Sequence, residues 1–158
     1  PFDAITVAPY MGRDSVDPFL AYTHKFTIVL GLTSNAGSQN FQQQKLANGQ
    51  FLYESVLEQV SSWGTPEQMM FVVGATKASD LESIRKIIPN HFLLLPGVGA
   101  QGGSLADVTK FGINDSVGLL VNASRAVIFA SNGNDFAEKA AIAAHQYATE
   151  MKTLLTSL

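Results

Sequence analysis

The sequence predicts an α/β fold with a parallel sheet, either an open doubly wound sheet or a (β/α)8 barrel, on three observations. Short apolar runs rich in β-branched residues alternate with longer segments of helical periodicity, which implies right-handed crossovers between parallel strands. Polar, glycine-rich segments all follow strands. The connections after helices are short. Both folds place ligands at the C-terminal ends of their strands, so the polar loops are expected to share one face.

The first unit begins at once. An apolar strand runs from Ala4 to Ala8, Pro9 breaks it, and Gly12 turns the chain. A helix is expected from Ser15 to His24, starting at Asp14 or Ser15 with Pro18 near its first turn. The second strand, Phe26 to Leu32, leads into a polar loop, Thr33 to Gln39, that core packing does not require. A longer helix from about Gln50 to Trp63 follows, with Leu52, Val56, Leu57 and Val60 at helical spacing, and it closes at Gly64. The third strand, Met70 to Gly74, precedes a polar loop with Thr76 and Lys77. Ser79 with Glu82 three residues on then forms a capping-box pattern for a helix ending at Pro89. The fourth strand, Phe92 to Leu95, is an apolar run ended by Pro96 and four glycines within seven residues, and it reads as buried on both faces. Its helix runs from Ser104 to Gly112, with Leu105, Val108 and Phe111 on one face. The fifth strand, Gly118 to Val121, precedes NASRAVIFAS and a last helix from about Asp135 to Leu155.

Composition narrows the partners. The chain of 158 residues is one domain, residues 1–158, long enough to bury roughly two thirds of its unfolded surface. Hydrophobic residues make up 46% and charged ones only 15%, low for a monomer surface, so part of the surface is expected to be covered by a further segment or a partner subunit. A net charge of −3 provides no basic field for polymeric nucleic acid. A bound phosphate would be held locally, by one arginine and backbone amides. There is no cysteine, hence no disulfide or thiolate chemistry, and no HxxxH-type metal spacing or Ser/His/Asp arrangement. No apolar run reaches the length that spans a bilayer, and a cytoplasmic location is expected. The chain opens at Pro1 and is inside an apolar stretch within three residues, so it reads as entered in the middle. If the fold is a barrel, three units are expected before Pro1.

The glycine stretch Gly97 to Gly103 offers backbone amides to an anion. Gly97, Gly99 and Gly102 also match GxGxxG, but the dinucleotide fingerprint belongs early in its fold with an acidic residue about 20 positions on, and here the motif lies in the fourth unit with Asp115 before the next strand. A two-loop phosphate site fits better. Asn122-Ala123-Ser124-Arg125 follows the fifth strand one unit later, and Arg125 offers a fork of donors near a helix start, where the helix dipole alone would not favour a cation. Gln101 is placed to bridge a phosphate to the rest of a ligand. Thr33, Ser34 and Asn35 form a second polar cluster at a strand end. His24, His91 and His145 are expected at the surface, without catalytic partners.

Four segments in order, DAITVAPYMGRDSVDPF, GLTSNAGSQNFQ, LLPGVGAQGG and NASRAVIFAS, resemble orotidine 5′-phosphate decarboxylase of the bacterial type 2 subfamily, over strands four to eight. The resemblance covers nearly the whole chain. It implies a (β/α)8 barrel with about five C-terminal units in this chain, acting as a homodimer with active sites near the subunit interface. The implied reaction converts orotidine 5′-monophosphate to uridine 5′-monophosphate and CO2 without metal or organic cofactor. It implies that Gln101, Gly102, Ser124 and Arg125 hold the 5′-phosphate, that Ser34 and Gln101 contact the pyrimidine, and that Pro96, Thr33 and Asn35 line the pocket. The family's catalytic Asp-x-Lys-x-x-Asp motif is not among these residues, and Lys77 does not replace it. The motif is expected before Pro1, and the chain alone is expected to be inactive. Two alternatives stay open: a related sugar-phosphate decarboxylase of the same superfamily, and a non-catalytic nucleotide or phosphate-binding module.

Overall fold

The computed structural model describes residues 2–74, 78–99 and 103–157. Five strands, β1 (Ala4–Val7), β2 (Phe26–Leu32), β3 (Met69–Val73), β4 (Phe92–Pro96) and β5 (Leu119–Asn122), form one sheet in the order β1-β2-β3-β4-β5, and every pairing is parallel. Strand order therefore follows chain order. A doubly wound sheet would reverse direction at a switch point; this one never does.

The helices are α1 (Arg13–Leu20), α2 (Leu52–Ser61), α3 (Ala78–Ile87), α4 (Leu105–Gly112), a short α5 (Ser124–Ile128) and α6 (Phe136–Thr156). They cover one face of the sheet only. Val29, Phe71, Val73, Leu93 and Leu95 point to that face and form the main core with Leu57, Val60, Leu81, Ile84 and Val108. The opposite face carries a second cluster made of strand residues alone, Ile28, Met70 and Val72 with Leu30, Phe92 and Leu94. Register explains the division, because Ile28 pairs with Met70 and Met70 with Phe92, so these side chains fall on one side of the pleat. Helices on one face and side chains packing on the other are the two layers of a (β/α)8 barrel, of which five strands are present.

Several expectations shift. α1 begins at Arg13 rather than Asp14 or Ser15, so Pro18 lies inside it, and it ends at Leu20 because Tyr22 to Lys25 form a turn closed by Lys25 N–H on the Tyr22 carbonyl. β4 is not buried on both faces: Leu93 and Leu95 are buried, whereas Phe92, Leu94 and Pro96 are only half-buried. Those three point to the strand-lined side, which no helix covers. β3, central in the sheet, is the strand buried throughout. His91 is not a surface residue; it is 7% exposed, edge-on against Phe71 with ring centroids 5.3 Å apart. His24 and His145 are exposed as expected.

Candidate functional site

The C-terminal ends of the strands gather the polar loops. After β4 the chain turns through Gly97 and Gly99, with φ of +96° and +78°, values that a side chain rarely adopts. Gly99 N–H donates to the Gly103 carbonyl at 2.9 Å, and Val98 pairs with Gly103, which pinches the neck of the glycine loop. Gln101 and Gly102, expected at the phosphate, lie outside the described residues, as do Thr76 and Lys77.

After β5, Ala123 bends the chain into the single turn of α5, which starts at Ser124. The Ser124 hydroxyl donates to Asn122 Oδ1 at 2.6 Å. Its proton is thus used within the loop, which leaves the Ser124 backbone N–H, at the first position of the turn, as the donor available to an anion. Arg125 is exposed, and its guanidinium makes no hydrogen bond or ion pair among the described residues. Pro96 pairs with Asn122 across the sheet. A cavity of about 180 Å³ opens there, lined by Pro96, Gly97, Val98, Asn122, Ser124 and Arg125 among others. Of the sequence-derived candidates, Pro96, Ser124 and Arg125 are therefore brought together in one concavity.

Thr33, Ser34 and Asn35 lie apart from that cavity, at the end of β2, with β3 between them and β4. Their loop is stitched by three consecutive glutamines. Gln42 accepts from Thr33 N–H (2.7 Å) and donates to Thr33 Oγ1 (2.9 Å), Gln43 donates to the buried Ser38 (2.9 Å), and Gln44 donates to the Gln39 carbonyl (2.7 Å). Thr33 Oγ1 in turn donates to Asn35 Oδ1 at 2.6 Å. Thr33 Oγ1 and Asn35 Oδ1 are thus engaged within the loop itself, while Ser34 Oγ makes no hydrogen bond among the described residues. Ser34 is fixed by its neighbour instead. Gly74 N–H donates to the Leu32 carbonyl at 2.7 Å, and a Cβ on Gly74 would come within 2.6 Å of the Ser34 nitrogen and 2.7 Å of its Cα. Only glycine at 74 lets β3 end against the Ser34 backbone.

Sequence reasoning named Asn122 only as part of its loop, without its bond to Ser124, and missed the roles of Gln42 to Gln44. The signal for the glutamines was their run of three directly after the polar loop. No group of three or more His, Cys, Asp or Glu residues that could hold a metal ion occurs among the described residues. Among them no helix is long and apolar enough to cross a membrane.

Known proteins align with this arrangement. A family model described as "Orotidine 5'-phosphate decarboxylase / HUMPS family" matches residues 1–140. Orotidine 5′-phosphate decarboxylase of Flavobacterium johnsoniae is 55% identical over 156 residues, 99% of this chain and 57% of the relative, and that of Porphyromonas gingivalis is 58% identical over 139 residues, 88% and 50%. The chain spans about half the length of these relatives. Among solved structures, Leishmania donovani UMP synthase superposes with a TM-score of 0.83 at 37% identity, over 96% of this chain and 33% of that one. Leishmania donovani OMP decarboxylase gives 0.79 at 33%, over 96% and 57%.

Proposed function

Since the chain belongs to the orotidine 5′-phosphate decarboxylase / HUMPS family, we propose that it is the phosphate- and pyrimidine-binding part of an orotidine 5′-phosphate decarboxylase. The observation that carries this reading is the shared cavity of Pro96, Ser124 and Arg125 at the C-terminal end of β4 and β5. In it a guanidinium with no partner among the described residues meets a backbone N–H at the start of a helical turn, the donor set of a phosphate monoester site. Ser34, two strands from β4, lies roughly 10 Å along the sheet from it at about 4.8 Å per strand. That separation suits a nucleotide spanning phosphate to base rather than a free phosphate ion.

In this reading Gln101 and Gly102 complete the phosphate grip, Ser34 and Gln101 contact the pyrimidine, and Pro96 with Thr33 and Asn35 lines the pocket between. The bond broken is that between C6 of the pyrimidine and its carboxylate. CO2 leaves, the electron pair stays at C6, and a proton added there gives uridine 5′-monophosphate. The residues of this chain bind and orient, so that interactions with the distant phosphate support the transition state. The proton comes from the lysine of the Asp-x-Lys-x-x-Asp motif, which is not among the 158 residues, and the chain alone is inactive. Its assembly is a homodimer and its location cytoplasmic.

Titration of uridine 5′-monophosphate into the protein and its Arg125→Ala variant tests the site. Loss of the guanidinium should weaken binding roughly 10- to 100-fold, the range of a charge-assisted hydrogen-bonded contact. Equal affinity in both would sink the assignment.

A further inference from the structure

We infer that Tyr147 is a positioning residue for the phosphate end of the site, setting the distance between the glycine loop after β4 and the turn of α5. The inference rests on the nucleotide site proposed above. Its own observation is the environment of Gly99: the space that a Cβ on this residue would fill is taken by the Tyr147 hydroxyl, with the ring carbon bearing it 3.2 Å away and the Ala126 Cβ at 3.6 Å. One side chain therefore stands where two loops meet. Gly99 donates to Gly103 and so belongs to the neck of the glycine loop, while Ala126 directly follows Arg125 in α5.

The tyrosine is itself held from below. It lies in α6, the helix packed along α5, and its ring is half-buried against the main core together with Met151 and Leu154, four and seven residues further along the same helical face. Its hydroxyl makes no hydrogen bond among the described residues, so its contact at Gly99 is not shared with another polar partner there. A rigid ring anchored in the core and ending in a polar atom at Gly99 acts as a spacer. It sets how far the neck of the glycine loop can sink toward α5, and with it the width of the cavity between Gly97 and Arg125. Sub-ångström changes in such spacing are what a preorganised anion site cannot absorb.

The test is a cycle between Tyr147→Phe and Gly99→Ala, with affinities for uridine 5′-monophosphate and for uridine, which lacks the phosphate, measured by titration calorimetry. Tyr147→Phe keeps the packed ring and removes only the hydroxyl. It should weaken the monophosphate roughly 2- to 10-fold, the effect of one neutral polar contact, and leave uridine unchanged. Gly99→Ala should weaken the monophosphate more strongly in the wild type than in the Tyr147→Phe background, because removing the hydroxyl opens the space the new methyl needs. The inference is overturned if Tyr147→Phe binds the monophosphate like the wild type, if it weakens both ligands alike, or if the two substitutions act additively. Arg125→Ala, run in parallel, separates the levels. If that variant loses monophosphate binding while Tyr147→Phe does not, the spacer alone is wrong. If the wild type shows no phosphate-dependent binding, the nucleotide site falls and the spacer with it.

Discussion

Arg85 and Arg125 lie at opposite ends of the strands and use the same guanidinium in opposite ways. Arg85, on α3, reaches under the N-terminal ends of β4 and β5. It donates to the carbonyls of Gly112 (2.6 Å), His91 (2.6 Å), Gly118 (2.8 Å) and Ile88 (3.3 Å), so it ties the last turns of α3 and α4 to the entries of both strands. Among the described residues no carboxylate shares this fork. Burial pushes its pKa down to about 10, yet it remains charged at neutral pH. A cation set against carbonyls at helix C-termini also meets the favourable end of the helix dipole. Arg125, past the end of β5, is exposed, spends none of its donors among the described residues, and sits at the start of a helical turn, where the dipole gives it nothing. One arginine is consumed by the fold. The other is uncommitted among the described residues.

The contrast breaks most readily at Arg85. Arg85→Met keeps the apolar stem and unpairs several carbonyls, so urea unfolding should show a loss of about 2–4 kcal/mol, while the protein that remains folded keeps its nucleotide affinity. Arg125→Ala should do the reverse, with stability within about 0.5 kcal/mol of the wild type and the binding loss already described. Parallel stability losses in the two variants would abolish the distinction.

Gly74→Ala comes next in size. Its methyl has to displace the Ser34 backbone, so a destabilisation of about 1–3 kcal/mol is expected together with weaker uridine binding, since both follow from one shift. Lost stability with intact uridine affinity would show that Ser34 is not a base contact.

The smallest effect belongs to His91, beside Arg85. Both ring nitrogens are buried without a hydrogen-bond partner among the described residues, and burial, then the Arg85 charge, push its pKa below the ordinary value, against a smaller opposing pull from Glu67. The folded protein therefore binds this proton less readily than the unfolded chain. Stability from this group is complete above the unfolded pKa of about 6.5 and is lost as pH falls below it, with a slope of at most about 1.4 kcal/mol per pH unit. His91→Phe, which keeps a ring against Phe71, should flatten the urea midpoint between pH 7 and 5 relative to wild type. An unchanged pH profile would assign the acid sensitivity elsewhere.

What the sequence disclosed and what it hid follow one physical divide. β2 was legible from Phe26 to Leu32 because β-branched apolar runs bounded by polar residues have few other uses. The pairing of the loops after β4 and β5 was legible because consecutive β/α units put their loops side by side. His91 was misjudged because it follows directly on the helix end at Pro89, and its burial comes from Phe71 and Arg85, which local pattern cannot place. Single-turn α5 is too short to show a period. Gln42 was invisible as a partner of Thr33 nine residues earlier, and Tyr147 as a neighbour of Gly99, because both relations exist only after folding.

Among the described residues the unbroken strand order leaves β1 and β5 each with a neighbour on one side only. Ile5, on the first edge, and Leu120, on the last, are 45% and 49% exposed. Free backbone donors beside exposed apolar side chains are a template for intermolecular strand pairing. In the barrel proposed above, these two margins are where further strands would pair, and the apolar side chains beside them are what those strands would cover.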